Sequence, residues 1–382
     1  MLPDVSMKSS KLTAISAILL LICSVAYAAP PLNIAQHHHP KILLAIPDTV
    51  GFPFWLRVKN FAQVVSKSLK IQLHVITFDA NITDRDQYTE AVQNIVETQY
   101  KPDFIVSMLW LNGQSKLLDY ADEKKIPIIT INNSYRLDSK NNAQPRTSYS
   151  YWYGHISPND HLAGYQLAKQ LIKSYGDHQG NLIALTGDNY SAPSFNRVSG
   201  LKNALSAHPK IKLSHLIYTD WTSFDSRKKT QNIIKSDDKS INIVWTASDF
   251  IALGSAHALE QQLGSITQMQ IGSIDWNKES ISMIRQNKLD MSYGGHFIEA
   301  GKALILAYDF LHGHDFIDEL GTMINTELKL MNKQNVEAID KGINFAHWKN
   351  LDFKHLSKTY NPQLKHYTLD IEAMLQFEYN IQ

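Results

Sequence analysis

Residues 270–276 read QIGSIDW. A short, largely apolar run of the length of one buried strand stops at a lone carboxylate, Asp275, and an aromatic, Trp276, follows at once. Parallel α/β sheets hold their ligands outside the carboxyl ends of their strands. A carboxylate placed there is a bidentate acceptor for adjacent hydroxyls, and Trp276 is a candidate apolar wall. The position equally suits a helix N-cap, because residues 278–286 form an amphipathic stretch. Both readings of Asp275 stay open at this point.

Working outward, similar runs stand at 42–46, 72–78, 104–108, 127–131, 182–186, 214–218 and 242–246. Most are continuous in Val, Ile, Leu and Phe, as expected of parallel strands covered on both faces. Helical stretches separate them, with a repeat of roughly thirty residues, the size of a βα unit. The stretch 158–175 sets Leu162, Tyr165, Ala168 and Ile172 on one stripe, with Asn159 or Asp160 as its cap and Gly176 as its end. This is α/β architecture with parallel sheets. Two segments break the rhythm: 132–153, polar and aromatic, is read as a loop beside the site, and beyond Phe310 the repeat gives way to 326–331 and an irregular tail.

The first 28 residues have the form of a cleavable signal peptide. Lys8 and Lys11 precede an apolar run over 12–25, and Ala26, Tyr27 and Ala28 fit the small-x-small cleavage rule. The one cysteine, Cys23, leaves with that peptide, so no disulfide or thiolate metal site is expected, which fits a bacterial periplasm. Once Lys8, Lys11 and Asp4 leave, the 37 Lys and Arg fall to 35 and the 36 Asp and Glu fall to 35. That balance and the lack of a basic block exclude nucleic acid as the expected partner. A chain of 382 residues exceeds one comfortable core, so two domains are expected.

The loop residues have functional and structural readings side by side. Residues 46–55 (IPDTVGFPFW) leave the first strand and enter a helix, with Asp48, Phe52, Phe54 and Trp55 in the turn. Rings there suit the C–H face of a sugar; plain core packing is the competing reading. Asn132 and Asn133 close the strand 127–131, where an amide can both donate to and accept from a hydroxyl, or simply make a turn. Arg197 stands three residues before Gly200 and can fork onto ligand oxygens or form a structural ion pair. Trp221 follows a strand as Trp55 does, Ser248 ends another, Asp249 suits a helix cap, and His296 follows two glycines. No GxSxG, HExxH, P-loop or paired carboxylates for glycoside hydrolysis stand out, so no enzyme class and no cofactor is indicated.

Taken in order, PFW at 53–55, PIITINN at 127–133, the RxxG at Arg197, ASDFIALGSAHAL at 247–259, IGSIDW at 271–276 and GGHF at 294–297 resemble the type I periplasmic binding proteins that bind sugars. These are relatives of the ribose and galactose receptors, and the resemblance runs from about 41 to 326. It implies two doubly wound parallel-sheet lobes joined by a three-segment hinge and closing on a ligand. The expected lobes are 41–157 with 297–325, and 158–296 with 326–345, followed by a tail over 346–382. Phe54 and Trp55 match ring-stacking aromatics, Trp221 the second-lobe aromatic, and Asp275 the hydroxyl-binding aspartate. Asn132 and Asn133 stand where sugar receptors often carry aspartate and arginine, Ser248 replaces an asparagine, and His296 replaces a hinge glutamine. The resemblance implies a monomeric receptor for a sugar or sugar-like small molecule that serves an inner-membrane ABC permease. The autoinducer-2 receptors share the fold and leave a sensor kinase as the alternative partner.

Overall fold

The computed structural model describes residues 39–48, 50, 53–78, 85–108, 116–135, 143–236 and 240–377. The expected signal peptide and Phe52 lie outside the described residues. Two six-stranded sheets form. The first contains β1 (Lys41–Pro47), β2 (Gln72–Phe78), β3 (Phe104–Met108), β4 (Ile128–Ile131), β5 (Trp152–Pro158) and β11 (Met323–Thr326), in the order β11-β5-β4-β3-β1-β2. The second contains β6 (Gly180–Thr186), β7 (Ile211–Tyr218), β8 (Ile243–Thr246), β9 (Gln270–Asp275), β10 (Met291–Gly294) and β12 (Lys329–Asn332), in the order β12-β10-β9-β8-β6-β7. Pairing is parallel throughout the first sheet, and in the second the pair β10–β12 is antiparallel. The chain passes between the sheets after β5, after β10 and between β11 and β12. This is the α/β fold of two doubly wound lobes with three connections.

Continuous apolar runs form these strands because both faces are covered. β3 and β4 are buried along their whole length. The helix Glu299–Leu311 packs on β3, β4 and β5, while Tyr88, Val92, Leu117 and Leu118 of two other helices join a second cluster with Leu43 and Ile105. In the second lobe the helix Asp160–Tyr175 packs on β8, β9 and β10. It is capped by Asn159, whose side chain accepts from the Leu162 N–H, and it ends at Gly176. Its buried stripe is Ala163, Gly164, Leu167, Ala168, Leu171 and Ile172, which corrects the expected stripe through Leu162 and Tyr165. The helix serves two partners at once: the sheet, and the helix Ala192–Ser206, which Gly164 and Gly200 admit at backbone distance.

Four strands escaped the sequence. β5 starts inside the stretch expected to be loop, and Gly154 and His155 interrupt its apolar run, yet it is buried throughout. β10, β11 and β12 have four residues each, too few to show a period. The tail also carries order. Asp309, fully buried on the first lobe, accepts hydrogen bonds from Ser357 Oγ, the Lys358 and Thr359 N–H groups and Tyr367 Oη. Beyond it the short helix Ile371–Leu375 sets Ile371 against Gly295, whose φ of +110° a side chain would strain.

Candidate ligand cleft

A cavity of about 230 Å³ opens between the lobes at the carboxyl ends of the strands. Its volume lies below the roughly 300–1,000 Å³ of sites for drug-sized ligands, the scale of a single small ring. Nine of the residues singled out from sequence line it: Phe54, Trp55, Asn132, Asn133, Arg197, Trp221, Ser248, Asp275 and His296. Asp48 does not. Its carboxylate accepts the Val50 N–H in a local turn, and its own N–H donates to the Phe78 carbonyl.

The first lobe supplies rings and amides. Pro53 begins the helix Pro53–Ser68, which carries Phe54 and Trp55 to the cleft on its first turn. Their rings meet edge to face at 5.2 Å. Phe54 also stacks on the His296 imidazole at 4.6 Å. Asn132 leaves β4 at a φ of +69°, a conformation asparagine tolerates better than most residues.

The second lobe supplies charge. Arg197 is 4% exposed and donates from Nε to Asp160 at 2.7 Å and from Nη1 to the Ala247 carbonyl at 2.6 Å. Nη1 also stands 3.7 Å from Asp275 Oδ1, and His296 Nε2 stands 3.6 Å from the same oxygen. Both separations exceed a hydrogen bond, so Asp275 keeps accepting capacity toward the cleft. Burial pushes the Asp275 carboxyl well above the usual carboxylate range, against the pull of Arg197. Burial, with Arg197 behind it, pushes His296 well below the usual imidazole value, so its ring is neutral. Its Nδ1 is buried without a hydrogen-bond partner among the described residues.

The geometry decides several readings left open by sequence. Asp275 does not cap the following helix: Asn277 holds the cap position of Lys278–Arg285. Asp275 and Trp276 both have positive φ, +134° and +65°, and this pair of turns faces the carboxylate to the cleft. Trp276 is instead fully buried, donates from Nε1 to the Ser292 carbonyl and forms no wall. Ser248, not Asp249, caps Asp249–Leu263, accepting the Ile251 N–H. Asp249 goes inward and accepts from Ser273, Ser292 and the Asn277 N–H. Arg197 is both a salt-bridge partner and a cleft residue. Sequence reasoning took Asp160, which holds Arg197, only as a candidate helix cap, and passed over Asp188, which holds Trp221; the Gly-Asp pair ahead of a helix was the available signal for the second. It also passed over Arg57, which reaches from the first lobe to donate to the Trp276 carbonyl.

The sequence profile of the periplasmic binding protein domain matches residues 43–313, more than half of the chain. A xylitol-binding protein of Mycolicibacterium smegmatis is 24% identical over 196 residues, which are 51% of this chain and 52% of that protein. The match thus spans about half the length of that curated relative. Among solved structures, a periplasmic sugar-binding protein from Pseudomonas fluorescens superposes with a TM-score of 0.77 at 22% identity, over 88% of this chain and 99% of that one. An ABC transporter periplasmic solute-binding protein from Actinobacillus succinogenes 130z, with bound D-allose, gives 0.68 at 20% identity, over 78% and 99%. Profile, fold and sheet order agree: the chain belongs to the periplasmic binding protein family.

Proposed function

We propose that the protein is a non-catalytic receptor that binds a neutral sugar or sugar-like polyol between its lobes and delivers it to an ABC permease. One observation carries this reading: Asp275, held beside Arg197 yet outside hydrogen-bond reach of it, faces a cavity walled by Phe54, Trp55 and Trp221. A carboxylate accepts from two adjacent hydroxyls while flat rings take the apolar face of the same ring. Neutrality of the ligand follows from charge. Among the described residues, Asp188, Asp220 and Asp275 line the cleft against the one guanidinium of Arg197, which Asp160 already pairs, and His296 is neutral. A sugar phosphate or sugar acid would bring its charge beside carboxylates that outnumber the described cations.

In this reading residues 1–28 direct export to the periplasm and are removed, and the mature receptor is a monomer. The lobes 41–157 with 297–325, and 158–296 with 326–345, close about connections near 157, 296 and 326, with 346–382 packed against them. The relatives' names, xylitol-binding and D-allose-bound, support the ligand class. The test is mass spectrometry of small molecules released from protein purified from its native periplasm, followed by calorimetric titration of what is found. A neutral polyol or sugar released intact is the expected result. An anionic ligand would overturn the charge argument, and turnover of the bound molecule would overturn the receptor reading. A permease and ATPase encoded beside the receptor support delivery, whereas a histidine kinase there would replace delivery by sensing.

A further inference from the structure

Trp221 sits at a φ of +69°, a conformation that a bulky side chain adopts only where its surroundings impose it. Two neighbours do so. The indole Nε1 donates to Asp188 Oδ2 at 2.9 Å. The other carboxylate oxygen of Asp188 accepts the N–H groups of Tyr190 and Ser191, each at 2.8 Å, so the acceptor is fixed by its own loop independently of the indole. Gly187 makes the second constraint: a Cβ there would fall 1.7 Å from the indole Cε2. The six-membered side of the ring therefore lies directly against backbone, in space that any other residue at 187 would occupy.

We propose that Gly187 and Asp188 are positioning residues that preset Trp221 as the second-lobe wall, and so set the width of the cleft and the choice of ligand. The proposal rests on the reading that the cleft binds a sugar-like solute. It has a chemical consequence. With its N–H spent on Asp188, Trp221 offers a ligand carbon surface and no donor, so the face of the ligand turned toward it must be its C–H face. Hydroxyl recognition then falls to Asp275, Arg197 and the Asn132–Asn133 pair on the remaining sides. A side chain at 187 would push the indole into a cavity of only about 230 Å³ and exclude rings that the wild type admits.

The experiment labels the seven tryptophans with 5-fluorotryptophan and assigns the Trp221 resonance through Trp221→Phe. In ligand-free protein, Asp188→Ala and Gly187→Ala should each move the Trp221 fluorine signal and leave the distant ones in place. Titration with xylitol and with D-allose should show an affinity loss of about tenfold for Asp188→Ala. That loss should vanish when Trp221→Phe is already present, since the carboxylate then has no indole to hold. A Trp221 signal unmoved in both variants overturns the proposal, as does an equal loss with and without the indole. If wild type binds neither probe, a xylitol- or allose-like ligand is what fails; the ligand-free resonances still decide the positioning role.

Discussion

Phe54 and Trp55 reach the cleft from the first turn of one helix and rest on each other and on His296, whereas Arg197 and Asp275 reach it inside a network of buried charge. The first lobe's contribution is uncharged: two rings placed by packing, and two amides, of which Asn132 leaves its strand at a φ of +69°. The second lobe's contribution is polarity held under strain, with Asp275 and Trp221 at positive φ and Arg197 shared between Asp160 and Asp275. A half-buried ring can be trimmed at modest cost, because part of its area already faces solvent and less apolar burial is lost. A buried charge stripped of its partner cannot relax in this way. The two halves of the cleft should therefore answer mutation differently.

The largest effect is expected at Arg197. Arg197→Ala leaves Asp160, only 2% exposed, and Asp275 facing one another's field without a cation, a change that costs roughly 3–5 kcal/mol when a buried pair is broken. Phe54→Ala removes a half-buried ring and should cost less than the roughly 3–5 kcal/mol of a fully buried phenylalanine. Urea unfolding of both variants checks the contrast. Equal losses would mean that the second lobe's network contributes no more than packing does.

A second test asks whether the first lobe has a buried polar weakness of its own. His155 is fully buried on β5, bonded through Nδ1 to Thr130 at 2.8 Å, and burial lowers its pKa to about 3. Unfolded, the imidazole returns to about 6.5 and binds a proton that the folded state refuses. Stability thus falls as pH drops below about 6.5, by roughly 2 kcal/mol at pH 5 from this residue alone. His155→Gln should flatten the pH dependence of the urea midpoint between pH 7 and 5. An unchanged slope would move the acid sensitivity elsewhere, for instance to the depressed His296 at the junction of the lobes.

Asp275→Asn separates binding from stability. Hydrogen bonds from ligand hydroxyls to a carboxylate contribute roughly 1.5–3 kcal/mol, so the amide should lower affinity about tenfold or more. The fold should not suffer with it. Burial holds this carboxyl above its ordinary range, so its ionised form opposes folding, and Arg197 retains Asp160 when the charge is removed. Calorimetry beside thermal unfolding measures both. A folded variant with wild-type affinity would remove Asp275 from the centre of the site.

How much of this could be read beforehand depends on distance along the chain. The strand ends were legible, because an aliphatic run that stops at Asp275, Asn132 or Ser248 is a local pattern, and parallel sheets put such ends on one side. Which way a side chain leaves the strand was not. Two positive φ values in a row send Asp275 to the cleft and Trp276 to the core, and nothing in IDW signals them. Partnerships across the fold were equally hidden: Arg197 and Asp160 are 37 residues apart, and Arg57 meets the Trp276 carbonyl across 219. Strand β5 was missed where Gly154 and His155 interrupt its apolar run, since a central strand in a covered sheet can bury an imidazole given a partner such as Thr130.

The smallest effect gives the sharpest comparison, because the same substitution is made on both sides of the cleft. Trp55→Phe and Trp221→Phe each keep a flat ring and delete an indole N–H. On the first lobe the ring is held by packing against Phe54, so phenylalanine should serve nearly as well. On the second lobe the N–H is what ties the ring to Asp188, and a bond to a carboxylate contributes roughly 1.5–3 kcal/mol, less where it is half exposed as here. Trp221→Phe should therefore lose several-fold in affinity, up to about tenfold, while Trp55→Phe loses little. The loss should come mainly as faster ligand release, as most affinity differences among variants of one site do. Stopped-flow fluorescence on both variants reads this directly. Matched losses on the two sides would show that the lobes hold their walls in the same way, and that the difference drawn between surface and polarity does not extend to the aromatic residues.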